Sequence, residues 1–179
     1  MTRSGDRSRN CRPQPLRIRR ATGRDREAIW QIFHAVVAGG ETYVFDPEIS
    51  RGKALAYWLA PKTRCYVALS DQRIVGTYIL KANQPGLGSH VANAGFMVPP
   101  SAQGRGVGRT MAEHCLREAT RLGYRAMQFN FVVSTNTNAL RLWKNLGFKI
   151  VGRLPGAFRH SGRGFVDVCV MFRRLKPAV

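Results

Sequence analysis

Acidic residues are scarce in this chain, which has 10 Asp and Glu against 29 Lys and Arg in 179 residues. The formal net charge is +19, and residues 1–20, with seven Arg and one Asp, account for only +6 of it. A surface this positive attracts anions, which include phosphorylated small molecules and nucleic acid. No interleaving of aromatic and basic residues, zinc-finger spacing or recognition-helix pattern accompanies the charge, so the sequence argues against nucleic acid as the partner.

Long apolar runs and paired cysteines are missing as well. The chain has no stretch of about eighteen uncharged apolar residues, and its basic N-terminus lacks the apolar segment of a secretory signal. We therefore expect no membrane partner and a cytoplasmic location. The four cysteines are about fifty residues apart and the four histidines are scattered, so no metal site is predicted.

Length and composition predict one domain. An apolar fraction of 44% in 179 residues is enough for a single substantial core. Residues 1–15 are rich in Arg, Ser, Asn and Pro and have almost nothing to bury, so we expect a disordered basic tail there. Residues 16–176 are predicted to form the domain, because the chain shows no internal repeat and no second core.

Hydrophobic periodicity and turn residues predict alternating strands and helices. The predicted strands are 16–20, 65–70, 73–82, 90–98, 126–133, 149–154 and 165–172, and the predicted helices are 22–37, 50–59, 109–122 and 136–146. In the strand 126–133, alternation should place four apolar side chains on one buried face, namely Met127, Phe129, Phe131 and Val133. Asn130 should then lie on the other face.

The segment Gln103-Gly104-Arg105-Gly106-Val107-Gly108, here named the glycine loop, joins an apolar strand to an amphipathic helix. A glycine-rich turn at the start of a helix directs several free backbone N–H groups to one point, at the positive end of the helix dipole. This arrangement predicts a seat for phosphate or pyrophosphate, and a turn that simply needs glycine is the alternative. The ending of a P-loop and the early position of a dinucleotide-binding loop are both absent.

A second motif follows the glycine loop and consists of Asn136, Ala139, Leu142-Trp143 and Gly147-Phe148. The two motifs, in this order and at this separation, resemble those of the GNAT superfamily of acetyl-CoA-dependent N-acetyltransferases. The resemblance covers about residues 16–175. Within the superfamily, the segments 41–43, 129–136 and 162–167 resemble the phosphinothricin and proline-analogue acetyltransferases, which act on small molecules.

The resemblance implies a mixed α/β (α+β) fold, with a mostly antiparallel twisted sheet, splayed parallel central strands and about four flanking helices. It also implies acetyl-CoA as the cofactor, with the pantetheine arm between the splayed strands and the pyrophosphate on the loop N–H groups. The residues implied to bind it are Phe96, Met97, Val98, Gln103, Gly104, Arg105, Gly106, Val107, Gly108, Arg109, Asn136, Ala139, Leu142 and Trp143. Helix core is the alternative for Ala139, Leu142 and Trp143.

The implied reaction is attack of an amine on the acetyl thioester, and an aliphatic ammonium must first lose a proton. Many members use a Glu on the central strand for this, but residues 72–112 contain no carboxylate. Asn93 stands about where that acid often lies, and Trp143 replaces a Tyr that protonates the leaving thiolate in many members. The remaining base candidates are Glu41, His90 and a water chain, against the alternatives of a solvated carboxylate and an exposed histidine.

Polar residues around the implied cleft are candidates for binding the acceptor amine, namely Glu41, Tyr43, Asn93 and Asn130. Asn130 lies in the middle of a strand, where a polar side chain needs partners, so a structural hydrogen bond is the alternative. Asp167 is expected to be satisfied structurally, by Arg159 or Arg163.

Three functions stay open at this point. The first expectation is an N-acetyltransferase that acts on a small molecule, such as an amino acid, an imino acid or a related amine. The alternatives are a protein N-terminal or lysine acetyltransferase, and a non-catalytic module that binds coenzyme A or nucleic acid. A homodimer is a further expectation, because dimers are common in the superfamily.

Overall fold

The structure is a computed structural model that describes residues 16–176, so the predicted tail at 1–15 lies outside it. Its strands are β1 (Arg17–Arg20), β2 (Arg64–Ser70), β3 (Arg73–Ala82), β4 (Val91–Met97), β5 (Ala126–Val133), β6 (Lys149–His160) and β7 (Gly164–Arg174). Its α-helices are α1 (Arg26–Val37), α2 (Arg51–Trp58), α3 (Val107–Arg121) and α4 (Thr137–Asn145). No helix within residues 16–176 is long and apolar enough to cross a membrane.

The seven strands form one sheet in the order β1-β2-β3-β4-β5-β7-β6. Neighbouring strands are antiparallel except for β4 and β5, which run parallel. This parallel pair is joined only at Val91–Ala126 and Ala92–Met127, and beyond these residues the pairing stops. We name the space between the two unpaired strands the gap. The predicted fold class is confirmed, including its splayed central strands.

Helices cover both faces of the sheet. The side chains of α1 and α2 pack on one face in a core that includes the fully buried Phe33 and Trp58. Helices α3 and α4 cover the other face, where Met111 and Trp143 belong to the larger core. Because side chains alternate along a strand, successive residues of β4 face different pairs of helices.

The prediction that Phe131 and Val133 share a buried face with Met127 and Phe129 is wrong, because Val133 is buried in a separate cluster with Phe158 and Val168. The register of β5 against β7 shifts between Phe129 and Val132, so β5 contains one extra residue there. Val132 therefore takes the place in the larger core that strict alternation assigns to Phe131. The ring of Phe131 packs against Phe158 instead and is 36% exposed.

The last hairpin is longer than predicted. Strand β6 continues past residue 154 to His160, and β7 begins at Gly164. The register between the two strands shifts between Leu154 and Phe158, around Pro155. The strand tolerates this proline because β6 is at the edge of the sheet, where one side of the backbone has no strand partner.

Helix α3 is held closely on the sheet. Gly76 of β3 lies under the start of the helix, and a Cβ atom at this position would be 2.9 Å from both Met111 Cε and Val107 Cγ1. Farther along the helix, the Tyr66 hydroxyl donates to Glu118 Oε2 over 2.8 Å. These contacts fix where α3, and with it the glycine loop, lies against the sheet.

We expect Gly76→Ala to lower the free energy of unfolding by about 1–3 kcal/mol, because the added methyl group forces Val107 and Met111 away from β3. Chemical denaturation measures the change. Gly52→Ala is the control, since Gly52 lies within α2 and a Cβ atom there has no neighbour within 4 Å. This control should raise the free energy of unfolding by about 0.5–1 kcal/mol. Equal stabilities of the two variants would contradict the close packing at Gly76.

Candidate active site

The glycine loop follows the C-terminal end of β4, where β4 and β5 are unpaired. Gly104 and Gly106 have φ angles of +74° and +77°, which glycine adopts without strain. A Cβ atom at either position would meet no protein atom within 4 Å. The backbone of the loop is therefore open to close approach by a ligand.

The loop also offers a row of free donors. The first hydrogen bond of α3 runs from Thr110 N to Gly106 O over 3.0 Å. Within residues 16–176, none of the backbone N–H groups from Gly104 to Arg109 has a hydrogen-bond partner. Such groups carry the partial positive charge of a helix N-terminus. The exposed guanidinium groups of Arg105 and Arg109 add full charges. This combination fits a pyrophosphate.

Helix α4 follows β5, the strand on the other side of the gap from β4. Asn136 is its N-cap, and the side-chain Oδ1 accepts from Ala139 N over 3.1 Å, which leaves the Asn136 amide NH₂ for a ligand. Leu142 Cδ2 would lie 3.8 Å from a Cβ atom at Gly108, so α4 closely flanks the start of α3. Ala139 and Leu142 are half-buried and pack against the larger core.

Aromatic rings line the α3/α4 side of the gap. The ring of Trp143 lies 4.5 Å from that of Phe129 on β5 and 5.0 Å from that of Phe96 on β4, measured between centroids. Trp143 is only 7% exposed, so it belongs to the core as well as to this wall. Its indole is a hydrogen-bond donor and no general acid, so the position offers no group to protonate a leaving thiolate.

The backbone of β4 has groups that face the gap. Asn83 N donates to Val91 O over 2.8 Å across the β3–β4 pair. Alternate residues of a strand direct their backbone groups to the same neighbour, so Phe96 and Val98 direct theirs away from β3 and into the gap. Met97 differs from both, because its backbone faces β3 and its side chain is buried under α1 and α2.

Tyr43 reaches the gap from the α1/α2 side. Its hydroxyl donates to the carbonyl oxygen of Phe96 over 2.9 Å, and its ring packs against Phe45 and Trp58. Burial of the hydroxyl raises the pKa of Tyr43 well above its usual range, so the group stays protonated. Its oxygen can still accept a hydrogen bond. Glu41, two residues earlier on the same loop, is exposed.

Four amide side chains meet on the α1/α2 side, near the point where the gap begins. Asn83, which follows β3, accepts at Oδ1 from Asn93 Nδ2 of β4 (3.1 Å) and from Asn130 Nδ2 of β5 (2.7 Å). Gln128 Nε2 donates to Asn130 Oδ1 over 2.8 Å. We name these four residues the amide cluster. Two of its carbonyl oxygens, on Asn93 and Gln128, have no donor in the part of the chain that the structure describes.

The structure thus brings together Asn93 and Asn130, which the sequence analysis singled out separately, and adds Asn83 between them. Sequence reasoning missed Asn83 because it stands at the start of a Gly/Pro-rich turn, where Asn is common for reasons of backbone conformation. Only the fold places its side chain between two strands that are not paired with each other at this level.

His90 lies apart from these residues. Its Nδ1 is 3.1 Å from the carbonyl oxygen of Leu87, and its side chain lines a groove with Thr120 and Tyr124. This groove is at the C-terminal end of α3, about 20 Å along the helix from the glycine loop.

The prediction for Asp167 is wrong about the partner. The carboxylate accepts from Gly156 N (3.1 Å) and from Arg153 Nη1 (3.2 Å), and neither Arg159 nor Arg163 is involved. The hydrogen bond from Gly156 and the charge of Arg153 lower the pKa of Asp167. These contacts hold the irregular part of β6 against β7, so Asp167 has a structural role.

Comparison with known proteins identifies the class to which this site belongs. The model of the acetyltransferase (GNAT) family matches residues 27–148. The N-acetyltransferase aca1 of Schizosaccharomyces pombe is 32% identical over 148 residues, which cover 73% of this chain and 71% of that protein. The structure of a GCN5-related N-acetyltransferase from Kribbella flavida is 43% identical, with a TM-score of 0.86, and the match covers 89% of this chain and 98% of that one.

The chain therefore belongs to the GNAT acetyltransferase family and is an acetyl-CoA-dependent N-acetyltransferase. A phosphinothricin acetyltransferase from Sinorhizobium meliloti, solved in complex with acetyl-CoA, has the same fold at 22% identity, with a TM-score of 0.77 over 91% of this chain and 93% of that one. The open backbone and the free N–H groups of the glycine loop fit the phosphate groups of this cofactor.

We expect Gly106→Asp to weaken acetyl-CoA binding by at least about tenfold relative to Gly106→Asn, because the carboxylate repels the anion that the loop is suited to hold. The two side chains have the same size, and both tolerate a left-handed φ, so the comparison isolates the charge. Calorimetric titration measures the Kd. Gly123→Asp, at the other end of α3 with a φ of +83°, is a control that should bind like the wild type. Equal affinities of the two Gly106 variants would contradict the assignment.

Proposed function

We propose that this enzyme acetylates a small-molecule amine, such as an amino acid, an imino acid or a related amine, by direct attack of the amine nitrogen. The observation that carries the proposal is the amide cluster, because it presents unpaired carbonyl oxygens beside the gap. Such oxygens accept hydrogen bonds from an amine. Acetyl-CoA supplies the activated acetyl group as a thioester.

The proposed cofactor site lies at the glycine loop and along the gap. The loop N–H groups hold the pyrophosphate, and the backbone groups of Phe96 and Val98 pair with the amides of the pantetheine arm. The NH₂ group of Asn136 and the side chains of Ala139, Leu142 and Trp143 complete the wall. Met97 contributes only to the core in this proposal, because its backbone and its side chain both face away from the gap.

The acceptor site that we propose consists of the amide cluster and Tyr43. Asn83 orients the amides of Asn93 and Asn130, since its single carbonyl oxygen takes an N–H group from each. This arrangement leaves the Asn93 carbonyl oxygen for the acceptor nitrogen. The Tyr43 hydroxyl, fixed by its bond to Phe96, offers a second oxygen nearby.

Charge favours a small acceptor over a basic protein segment. Residues 16–176 contain 25 Lys and Arg against 9 Asp and Glu, so the surface repels lysine-rich chains. The tip of the β6–β7 hairpin also closes on the loop after α1. Ser161 Oγ donates to Gly39 O over 2.8 Å, and Ser161 N donates to Gly40 O over 3.1 Å. This closure leaves less room for an extended polypeptide.

We propose Glu41 as the base that takes the proton from the acceptor ammonium. It lies on the loop that carries Tyr43 to the gap, whereas β4 itself has no carboxylate. A positioned base contributes about 10²- to 10⁴-fold to such a proton transfer. His90 has no part in this proposal, because it lines a groove at the end of α3 opposite the glycine loop.

The chemistry needs no covalent acetyl-enzyme. The cysteines in residues 16–176 are Cys65, Cys115 and Cys169, and all three are buried. Burial raises the pKa of Cys65 to about 11, so little reactive thiolate forms at neutral pH. A thiol with a pKa of about 8.5 can leave as the thiolate without a general acid, which makes Trp143 acceptable at the position of the family's tyrosine.

Three free, buried thiols suit a reducing compartment, so the cytoplasm stays the proposed location. A homodimer stays a prediction from the family resemblance.

The release of free thiol from acetyl-CoA tests the proposed acceptor class. We expect turnover with small amines, among them amino acids and imino acids, and little with lysine-rich peptides. For the best small acceptor, Asn130→Ala should raise the KM about tenfold and leave the Kd of acetyl-CoA unchanged, because the amide cluster loses the link between β5 and Asn83. Asn145→Ala, on an exposed position of α4, is the matched control.

Two results would refute the proposal. Efficient acetylation of peptides without turnover of any small amine would make the enzyme a protein acetyltransferase. An unchanged acceptor KM in Asn130→Ala would limit Asn130 to a structural role.

Glu41→Gln should lower kcat/KM by about 10²-fold or more near neutral pH, since the variant cannot take the proton. The loss should shrink at high pH, where the acceptor amine is already deprotonated. Glu48→Gln, on the same loop and also exposed, should retain full activity. A Glu41→Gln enzyme with the pH profile of the wild type would assign the proton transfer to water.

A further inference from the structure

Lys81 lies beside the amide cluster on the same face of the sheet. It is directly opposite Asn93 in the β3–β4 register. Ile79, two residues earlier on β3, is buried under α1 and α2, so the side chain of Lys81 leaves the strand on that side too. Opposite residues of an antiparallel pair have Cβ atoms about 4.5–5.5 Å apart. Lys81 and Asn93 are therefore neighbours at the start of the gap.

The ammonium group of Lys81 is held over an aromatic ring. Its Nζ is 4.9 Å from the ring centroid of Tyr57 on α2 and 3.5 Å from the Tyr57 hydroxyl oxygen. A cation over the face of a tyrosine is stabilised by the ring. Lys81 is half-buried, so this charge has a defined place beside the cluster.

No carboxylate of the described chain pairs with Lys81. The five ion pairs found in residues 16–176 all use arginine. The sequence around Lys81, from 72 to 112, contains no Asp or Glu. A half-buried cation without a counter-ion attracts an anionic group from a ligand, and hydrogen bonds between ionised partners are the strong ones.

We propose that Lys81 and the hydroxyl of Tyr57 bind the carboxylate of the acceptor, so that the enzyme selects amino acids and imino acids over amines without a carboxylate. This inference rests on the proposed small-molecule function. The carbonyl oxygen of Asn93 takes the acceptor nitrogen, and Lys81, on the neighbouring strand, takes the carboxylate. In an α-amino or α-imino acid one carbon atom joins the two groups, which suits two partners on adjacent strands.

The proposed site binds the acceptor nitrogen with a neutral group and the carboxylate with a positive one, and this arrangement suits the reaction. The neutral carbonyl groups of the amide cluster bind an N–H group without favouring the ammonium form as a carboxylate partner does. The acceptor carboxylate is remote from bond formation and stays charged throughout. Its binding is therefore the same in the ground state and the transition state, so loss of Lys81 should act on KM more than on kcat.

Steady-state kinetics with matched acids and amides tests the subsite. L-amino acids, including L-proline, are compared with their amides in the thiol-release assay. We expect the wild type to prefer each accepted acid over its amide by about tenfold or more in kcat/KM. Lys81→Met should lose about 10- to 100-fold on the acid, through KM, and change the amide by less than about twofold. Lys81→Arg should retain the preference, and Lys53→Met, exposed on α2, should behave like the wild type.

Each other outcome overturns the subsite. Equal kcat/KM for acid and amide in the wild type, or an equal loss on both in Lys81→Met, means that Lys81 does not contact a carboxylate. Turnover only of small amines without a carboxylate refutes the subsite but leaves the proposed function intact. Turnover only of peptides, or of no amine while acetyl-CoA binds normally, refutes both.

Discussion

Strands β4 and β5 separate after Ala92 and Met127, and the gap between them determines where both parts of the candidate site lie. A gap in the middle of a sheet exposes backbone donors and acceptors. Each of these groups that stays buried without a partner destabilises the folded protein by about 1–3 kcal/mol. The chain satisfies one of these groups itself, since Tyr43 donates to the Phe96 carbonyl. It also joins the two strands through Asn83, where main-chain pairing ends. In the proposed site the remaining backbone groups along the gap would pair with the cofactor, so the interruption of the sheet would create both the need for a ligand and the place for it.

The order of elements could be predicted because each predicted strand and helix has its own periodicity and its own turn residues, such as Gly123 after α3 and Gly147 after α4. The errors came where non-local pairing decides the local geometry. The extra residue in β5 exists only in relation to β7, so alternation alone assigned Phe131 to the core. Residues 155–160 looked unlike a strand because of Pro155, which an edge position tolerates.

The cofactor part and the acceptor part of the candidate site differ in how far the local sequence predicts them. The glycine loop is contiguous in sequence, and its conformation follows from glycines before a helix, so its residues could be named in advance. The proposed acceptor side combines Tyr43 after α1, Tyr57 on α2, Lys81 on β3 and Asn83 in a turn, and only the folded sheet brings these residues to Asn93. Nothing in the local sequence distinguishes Lys81 from the other basic residues. Its proposed role in binding depends on the fold, which places no carboxylate of residues 16–176 in an ion pair with it.

The gap is an opening through the sheet between β4 and β5. The glycine loop and Trp143 lie on the α3/α4 side of the gap, whereas Tyr43, the amide cluster and Lys81 lie on its α1/α2 side. Acetyl-CoA and the acceptor amine would therefore enter from opposite faces of the sheet, and neither would block the path of the other. Such an arrangement favours a ternary complex in which the nucleophile and the acyl carbon meet within the thickness of a single layer of backbone. It would also let coenzyme A and the acetylated product leave independently.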